Sequence, residues 1–269
     1  MKNQSEPIRA FIFIAFIFSI FFISSCKKEE SAPPAPPLRT YADLENDFDA
    51  IDISDGIVDV SLKASSFLTW DVRIISPGIV EGESYPLIFT LHGAANGSPT
   101  AHQATACLAE PGLEALGAII ISPNGYFYQW YDGPNIQQVL TLVNLAKKYW
   151  PVDTTKIALT GFSNGGNGSW FFAETHPEIF SAAIPMATSY NTYNTDSIGR
   201  FIETPLYVIH GENDELFPLE DTQLWVDVTQ AVGTNVTLVV APGLGHYEPC
   251  EYVDYLQDAS QWLINDIWQ

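Results

Sequence analysis

Six short stretches of this chain are near-continuous apolar runs: PLIFTLHG (residues 86–93), GAIIISPNG (117–125), KIALTG (156–161), FSAAIPMA (180–187), PLYVIHG (205–211) and NVTLVVAP (235–242). Strands that read this way are covered on both faces, the situation of strands in a parallel sheet. Between them lie segments of helical character, NIQQVLTLVNLAKKYW (135–150), LEDTQLWVDVTQAV (219–232) and a last one over 251–268, and NGSWFFAETHPEIF reads as another. Strand and helix in alternation predict an α/β sandwich, a mostly parallel sheet with helices on both faces. Ahead of it, GIVDVSLK and TWDVRII alternate apolar and polar residues within 56–75. That alternation predicts an antiparallel hairpin with one wet face. At 46% hydrophobic and 13% aromatic residues, the chain has ample material for a core.

The first 40 residues read differently. Lys2 and Arg9 give a basic start, and AFIFIAFIFSIFFI (10–23) follows without a break. This run is shorter than the ~20 residues of a membrane-spanning helix, the pattern of a secretory signal peptide. It ends in Ile23-Ser24-Ser25-Cys26, which resembles a bacterial lipobox. The resemblance implies cleavage before Cys26 and a diacylglycerol on its sulfur; the plainer alternative is an ordinary signal peptide with a chance cysteine. KKEESAPPAPPLRT continues as a stiff, proline-rich spacer, and its KKEE is similar to the surface-export signal of Bacteroidetes lipoproteins. The expected organisation is a signal peptide over 1–25, a lipidated cysteine and linker over 26–40, and one catalytic domain over 41–269. The expected location is the bacterial cell envelope, with a lipid bilayer as partner through acylated Cys26. Lys and Arg number 11 against 32 Asp and Glu, and with Lys2, Glu6 and Arg9 removed the mature chain keeps 9 against 31. Such a balance excludes nucleic acid as a partner, since the phosphates would be repelled.

In sheets of this kind ligands bind beyond the carboxyl ends of the strands. The loops there hold nearly every His, Gly and unusual acid of the chain. GFSNG, after the third run, fits G-x-S-x-G on a strand-to-helix corner. Gly161 and Gly165 flank Ser163 where a β-carbon would clash, and Gly166 lets the following helix pack against adjacent strands. A serine hydroxyl needs a base before it attacks. With partners in the order Ser, acid, His, His246 in GLGH is the histidine that follows the candidate acid. Asp214 in HGENDELFP is that acid, with Glu212 and Glu215 near enough to substitute. The backbone N–H of Asn164 and one from Ala94 or Ala95 are the expected oxyanion donors. His92 and His210, each before a glycine at a strand end, read as loop-ordering residues. In GYFYQWYDG, Trp130 and Tyr131 are candidate substrate contacts; the alternative is that the aromatics cover the core beneath a long loop. Cys107 and Cys250 face an oxidising compartment after export. They could be buried thiols, or they could pair and tie the base's loop to the oxyanion loop. The sequence has no His/Cys cluster with metal spacing.

LHGAANG, PNGYFYQWYDG, GFSNGGNGSWFFAETHPEIFSAAIPMA, HGENDELFP and GLGH together resemble the secreted esterase branch of the α/β-hydrolases. The similarity is to the polyhydroxybutyrate depolymerase and feruloyl esterase family, and to the related predicted peptidase or phospholipase/carboxylesterase family. It implies an α/β-hydrolase fold and Ser163 as nucleophile, with Asp214 as acid and His246 as base. It implies no metal and no cofactor. The connection between PMATSY and the strand at Pro205 is too short for a large lid. The activity expected is hydrolysis of carboxylic esters through an acyl-enzyme, on plant polysaccharides (feruloyl or acetyl) or on polyesters. A serine peptidase of the same fold and a non-catalytic surface binding lipoprotein are the alternatives.

Overall fold

The computed structural model describes residues 38–269; the expected signal peptide, Cys26 and nearly all of the expected spacer lie outside the described residues. Eight strands form one sheet: β1 (Gly56–Lys63), β2 (Thr69–Ser76), β3 (Tyr85–Leu91), β4 (Ile119–Pro123), β5 (Val152–Phe162), β6 (Ala182–Met186), β7 (Leu206–Gly211) and β8 (Val236–Ala241). Their order is β1-β2-β4-β3-β5-β6-β7-β8. β2 is antiparallel to both β1 and β4, and every other pairing is parallel. This is the hairpin and parallel sheet expected from the apolar pattern.

The helices are α1 (Tyr41–Asp49), α2 (Ala109–Leu113), α3 (Gly133–Tyr149), α4 (Asn164–Thr175), α5 (Leu219–Ala231) and α6 (Val253–Trp262). Two cores lie on opposite faces of the sheet. Leu87 and Phe89 of β3 join Val139 and Leu142 of α3 on one face. Ile88, between them, joins Leu113 of α2 and Leu256 of α6 on the other. A strand that feeds both cores has no wet face, so its sequence shows no alternation.

Three details depart from the expectations. α4 stops at Thr175 and does not continue through HPEIF. Pro177 disfavours helical geometry in the residue before it, and His176 is at φ −136°, ψ 52°. The last helix is entered through a 3₁₀ turn (Pro249–Tyr252) and ends in a π turn (Leu263–Ile267). α1 stands where the sequence reading began the domain but assigned no helix. Thr40 and Asp43 cap it reciprocally, and Phe48 stacks on Trp150 with ring centroids 4.4 Å apart.

The chain runs from β3 to β4 on one side, then crosses to β5 on the other side of β3. Neighbouring strands whose connections depart in opposite directions open a crevice at their carboxyl ends. Here that crevice lies between the ends of β3 and β5, where LHGAANG and GFSNGG meet.

Candidate active site

Ser163 is the single residue between β5 and α4, with φ 57° and ψ −119°. A non-glycine residue at positive φ is strained, and such residues cluster at functional sites. The glycines around it make the corner possible. A β-carbon on Gly161 would run into the backbone of Gly165, and one on Gly165 into the carbonyl of Leu91. A β-carbon on Gly166 would lie 2.7 Å from the carbonyl oxygen of Met186 in β6. The Ser163 N–H donates to that same carbonyl at 2.9 Å, which locks the corner to the sheet.

His246 lies in the loop after β8, and its Nε2 is 2.9 Å from Ser163 Oγ. Its Nδ1 is 2.9 Å from Oδ2 of Asp214, in the loop after β7. An ionised carboxylate only accepts, so Nδ1 carries the proton and Nε2 is left to accept the serine O–H. Asp214 is fixed in turn: its Oδ1 accepts the N–H groups of Leu216 (3.0 Å) and Phe217 (2.8 Å). Phe162 and Phe217 approach the imidazole with ring centroids at 5.4 and 5.3 Å.

Glu212 and Glu215, both near enough in sequence to stand in for the acid, do something else. Glu215 accepts the backbone N–H of His246 at 2.9 Å, and Glu212 accepts that of Gly243 at 2.8 Å. Glu248 accepts from Gly245 at 2.8 Å, and Tyr252 donates its O–H to the Gly245 carbonyl at 2.9 Å. These side chains hold the backbone of the loop that carries His246, while Asp214 holds the imidazole. The sequence carried no signal for that division of labour, because an acid in a polar loop reads as solubility.

The loop after β3 lies against the serine: a β-carbon on Gly93 would be 3.5 Å from Ser163 Cβ. Among the described residues, the N–H groups of Ala94, Ala95 and Asn164 have no acceptor within the protein. His92 donates from Nδ1 to the Gly93 carbonyl (2.6 Å) and accepts at Nε2 from the Gly125 N–H (2.9 Å). Trp130 donates from Nε1 to the His92 carbonyl at 2.9 Å. Trp130 therefore does not contact substrate as expected: it is 0% exposed. Its indole lies beneath the loop because its one donor finds a partner there and its rings fill the core against Leu91 and α4. Tyr131 is half-exposed and packs at 6.2 Å from Phe171, while Phe127 at 78% exposure covers Gly97. Cys107 and Cys250 are bonded to each other, with α-carbons 5.0 Å apart. The bridge joins the segment before α2 to the loop that carries His246.

His210 at the end of β7 is fully buried and donates from Nε2 to the Phe217 carbonyl at 2.7 Å. It thereby closes the loop that carries Asp214. Burial pushes both His92 and His210 below the ordinary imidazole value. Both stay neutral in the fold at pH values where the unfolded chain, titrating near 6.5, already takes up protons. Their contribution to stability is complete above about pH 6.5 and is lost as the pH falls towards the folded values. We expect the urea midpoint to drop between pH 7.5 and 5.5. His210→Asn should show a smaller drop than the wild type; equal drops would contradict the assignment.

Among the described residues, no group of three or more His, Cys, Asp or Glu side chains is placed to hold a metal ion. No helix there is long and apolar enough to cross a membrane.

The sheet order, the strained serine corner and the loops that meet it define an α/β-hydrolase fold. Residues 133–259 match the Dienelactone hydrolase family, a span that takes in Ser163, Asp214 and His246. The chain is also similar to the uncharacterized peptidase YuxL of Bacillus subtilis, at 24% identity over 242 residues and 71% of this chain. It spans 36% of that protein's length. Among solved structures, it resembles a thermostable esterase with TM-score 0.62 and 20% identity, over 79% of this chain and 63% of that one. It also resembles FphF, a fluorophosphonate-binding serine hydrolase of Staphylococcus aureus, with TM-score 0.64 and 16% identity, over 78% of this chain and 99% of that one.

Proposed function

We propose that this protein is a serine hydrolase of carboxylic esters, and that Ser163, His246 and Asp214 act as its triad. The observation that carries the reading is the unbroken relay Ser163 Oγ, His246 Nε2, His246 Nδ1, Asp214 Oδ2, with both links at 2.9 Å. His246 takes the hydroxyl proton as Oγ attacks the acyl carbon. Asp214 holds the Nδ1 tautomer and stabilises the imidazolium. The N–H of Asn164 and those of Ala94 and Ala95 receive the oxyanion, which is where preorganised donors lower the barrier most. His246 then protonates the leaving alcohol, and a water repeats the sequence to release the acid.

No helix intervenes between β6 and β7. Tyr247 beside His246 is 68% exposed. An alcohol side open to solvent suits esters carried on plant polysaccharides or polyesters. The similarity to YuxL favours one other reading, a peptidase using the same triad. A substrate panel separates them: p-nitrophenyl acetate, feruloylated and acetylated xylan, polyhydroxybutyrate and a peptidyl p-nitroanilide, each with wild type and Ser163→Ala. Ester cleavage that disappears in the variant is the expected result. Cleavage of the anilide with no ester turned over would replace esterase by peptidase.

A further inference from the structure

The loop after β3 is attached to the fold at its two ends. At the near end, Trp130 Nε1 donates to the His92 carbonyl at 2.9 Å, and the Gly125 N–H donates to His92 Nε2 at 2.9 Å. At the far end, the Gly97 N–H donates to the Tyr126 carbonyl at 3.2 Å, and Asn124 Nδ2 donates to the Ser98 carbonyl at 3.0 Å. All four partners come from one segment just past β4. Ala94 and Ala95 lie between the two attachments, and among the described residues their N–H groups have no acceptor within the protein.

Asn124 organises the far end. It is fully buried, and each polar atom of its amide is used. Oδ1 accepts the Tyr126 N–H at 2.9 Å. That bond fixes which end of the amide is oxygen, so Nδ2 has two hydrogens to give. One goes to the Ser98 carbonyl and the other to Nδ1 of His102, 3.3 Å away. Asn96, Gly97 and Tyr126 have φ of 49°, 80° and 52°. A non-glycine residue in that region persists only where its surroundings hold it. Oδ1 of Asn124 holds Tyr126, and the Tyr126 carbonyl holds Gly97. One side chain thus secures both far attachments of the loop.

We propose that Asn124 is the positioning residue of the oxyanion hole, acting through Tyr126 and Ser98 to hold the N–H groups of Ala94 and Ala95 where the oxyanion forms. This rests on the serine-hydrolase reading above and deepens it. Asn124 bonds to no member of the triad and reaches no solvent, so its effect on the reaction passes through the loop. Oxyanion donors work because they are aimed before the charge develops, and a displacement of roughly 1 Å costs on the order of a hundredfold in rate. The oxyanion forms in acylation and again in deacylation. Loss of the clamp therefore slows both steps, which lowers kcat and leaves KM unchanged.

The test uses p-nitrophenyl acetate as substrate and 1,1,1-trifluoroacetone as inhibitor. Ser163 Oγ adds to the ketone carbon, the carbonyl electron pair becomes an alkoxide in the oxyanion hole, and the hydroxyl proton passes to His246. Asn124→Ala should lower kcat about a hundredfold, keep KM within about threefold of wild type, and raise the Ki of the ketone by about the factor that kcat loses. A loss of folded protein lowers kcat but not Ki, so the matched rise separates positioning from misfolding. Gly97→Ala strains the left-handed backbone at the loop's far attachment. It should move kcat and Ki in the same directions by at least about tenfold, and it decides alone if Asn124→Ala does not fold. A Ki within about threefold of wild type in every variant that folds would overturn the proposal. If the wild type hydrolyses no ester and Ser163 takes no label from a fluorophosphonate, the serine-hydrolase reading fails, and the positioning role with it.

Discussion

Ser163→Ala and His246→Ala are each expected to lower kcat for p-nitrophenyl acetate by about a millionfold, and Asp214→Asn by about ten-thousandfold. Members of a triad act as a unit, so losing the nucleophile or the base costs about as much as losing all three, while the acid alone costs less. The smaller effect at Asp214 also follows from its position here. The backbone of the base's loop is held by Glu215, Glu212 and Glu248, so the imidazole stays near Ser163 when the carboxylate is lost. What is lost is the tautomer. Steady-state kinetics with purified variants measures this directly, and a Ser163→Ala, His246→Ala double variant no slower than either single one completes the pattern. His246→Ala within tenfold of wild type would show that the 2.9 Å contact to Ser163 carries no proton in the reaction.

Opening the disulfide should have the second large effect. Cys107 and Cys250 are 143 residues apart in sequence, so the bridge closes a long loop in the unfolded chain. Removing such a bridge costs about 2–5 kcal/mol. At roughly 2–4 °C per kcal/mol for a domain of this size, Cys107→Ser with Cys250→Ser should lower Tm by about 4–20 °C. The bridge does not hold its two segments alone. Ser260 of α6 donates to the Gly112 carbonyl of α2 at 2.8 Å, and Gln257 to that of Pro111 at 3.1 Å. The double variant should therefore fold, with the unfolded state gaining the freedom. Calorimetry on the non-reducing preparation of each protein measures the shift, and an unchanged Tm would mean that the unfolded chain gains nothing from release.

The parts of this molecule that were legible in the sequence are those that a single local rule decides. β3 to β7 announce themselves because strand segments buried on both faces need apolar residues at every position; β8, at the sheet edge, is apolar in sequence but has Thr237 exposed and residues 238–240 half-buried. Ser163 stands out because its backbone conformation excludes side chains at Gly161 and Gly165, and the chain order of Ser, Asp and His then selects His246. What was not legible depends on where a side chain goes after the backbone is set. Trp130 lies in a run of aromatics beyond a strand end, and nothing local distinguishes it from Phe127. One is fully buried and the other is 78% exposed because the first finds an acceptor in His92. Glu212, Glu215 and Asp214 share one acidic loop, and only the arrival of the loop after β8 assigns ring to one and backbone to the others. α2 is five residues long, too short for periodicity to register. Its place is fixed instead by contacts with α6, from the far end of the chain.

The central claim is that Ser163 is the activated nucleophile. Incubation of the native protein with a fluorophosphonate, followed by intact mass and peptide mapping, tests it most directly. One adduct per chain is expected, on the peptide containing Ser163, with no adduct in Ser163→Ala or after denaturation before labelling. An adduct on another residue, or equal labelling of Ser163→Ala, would contradict it.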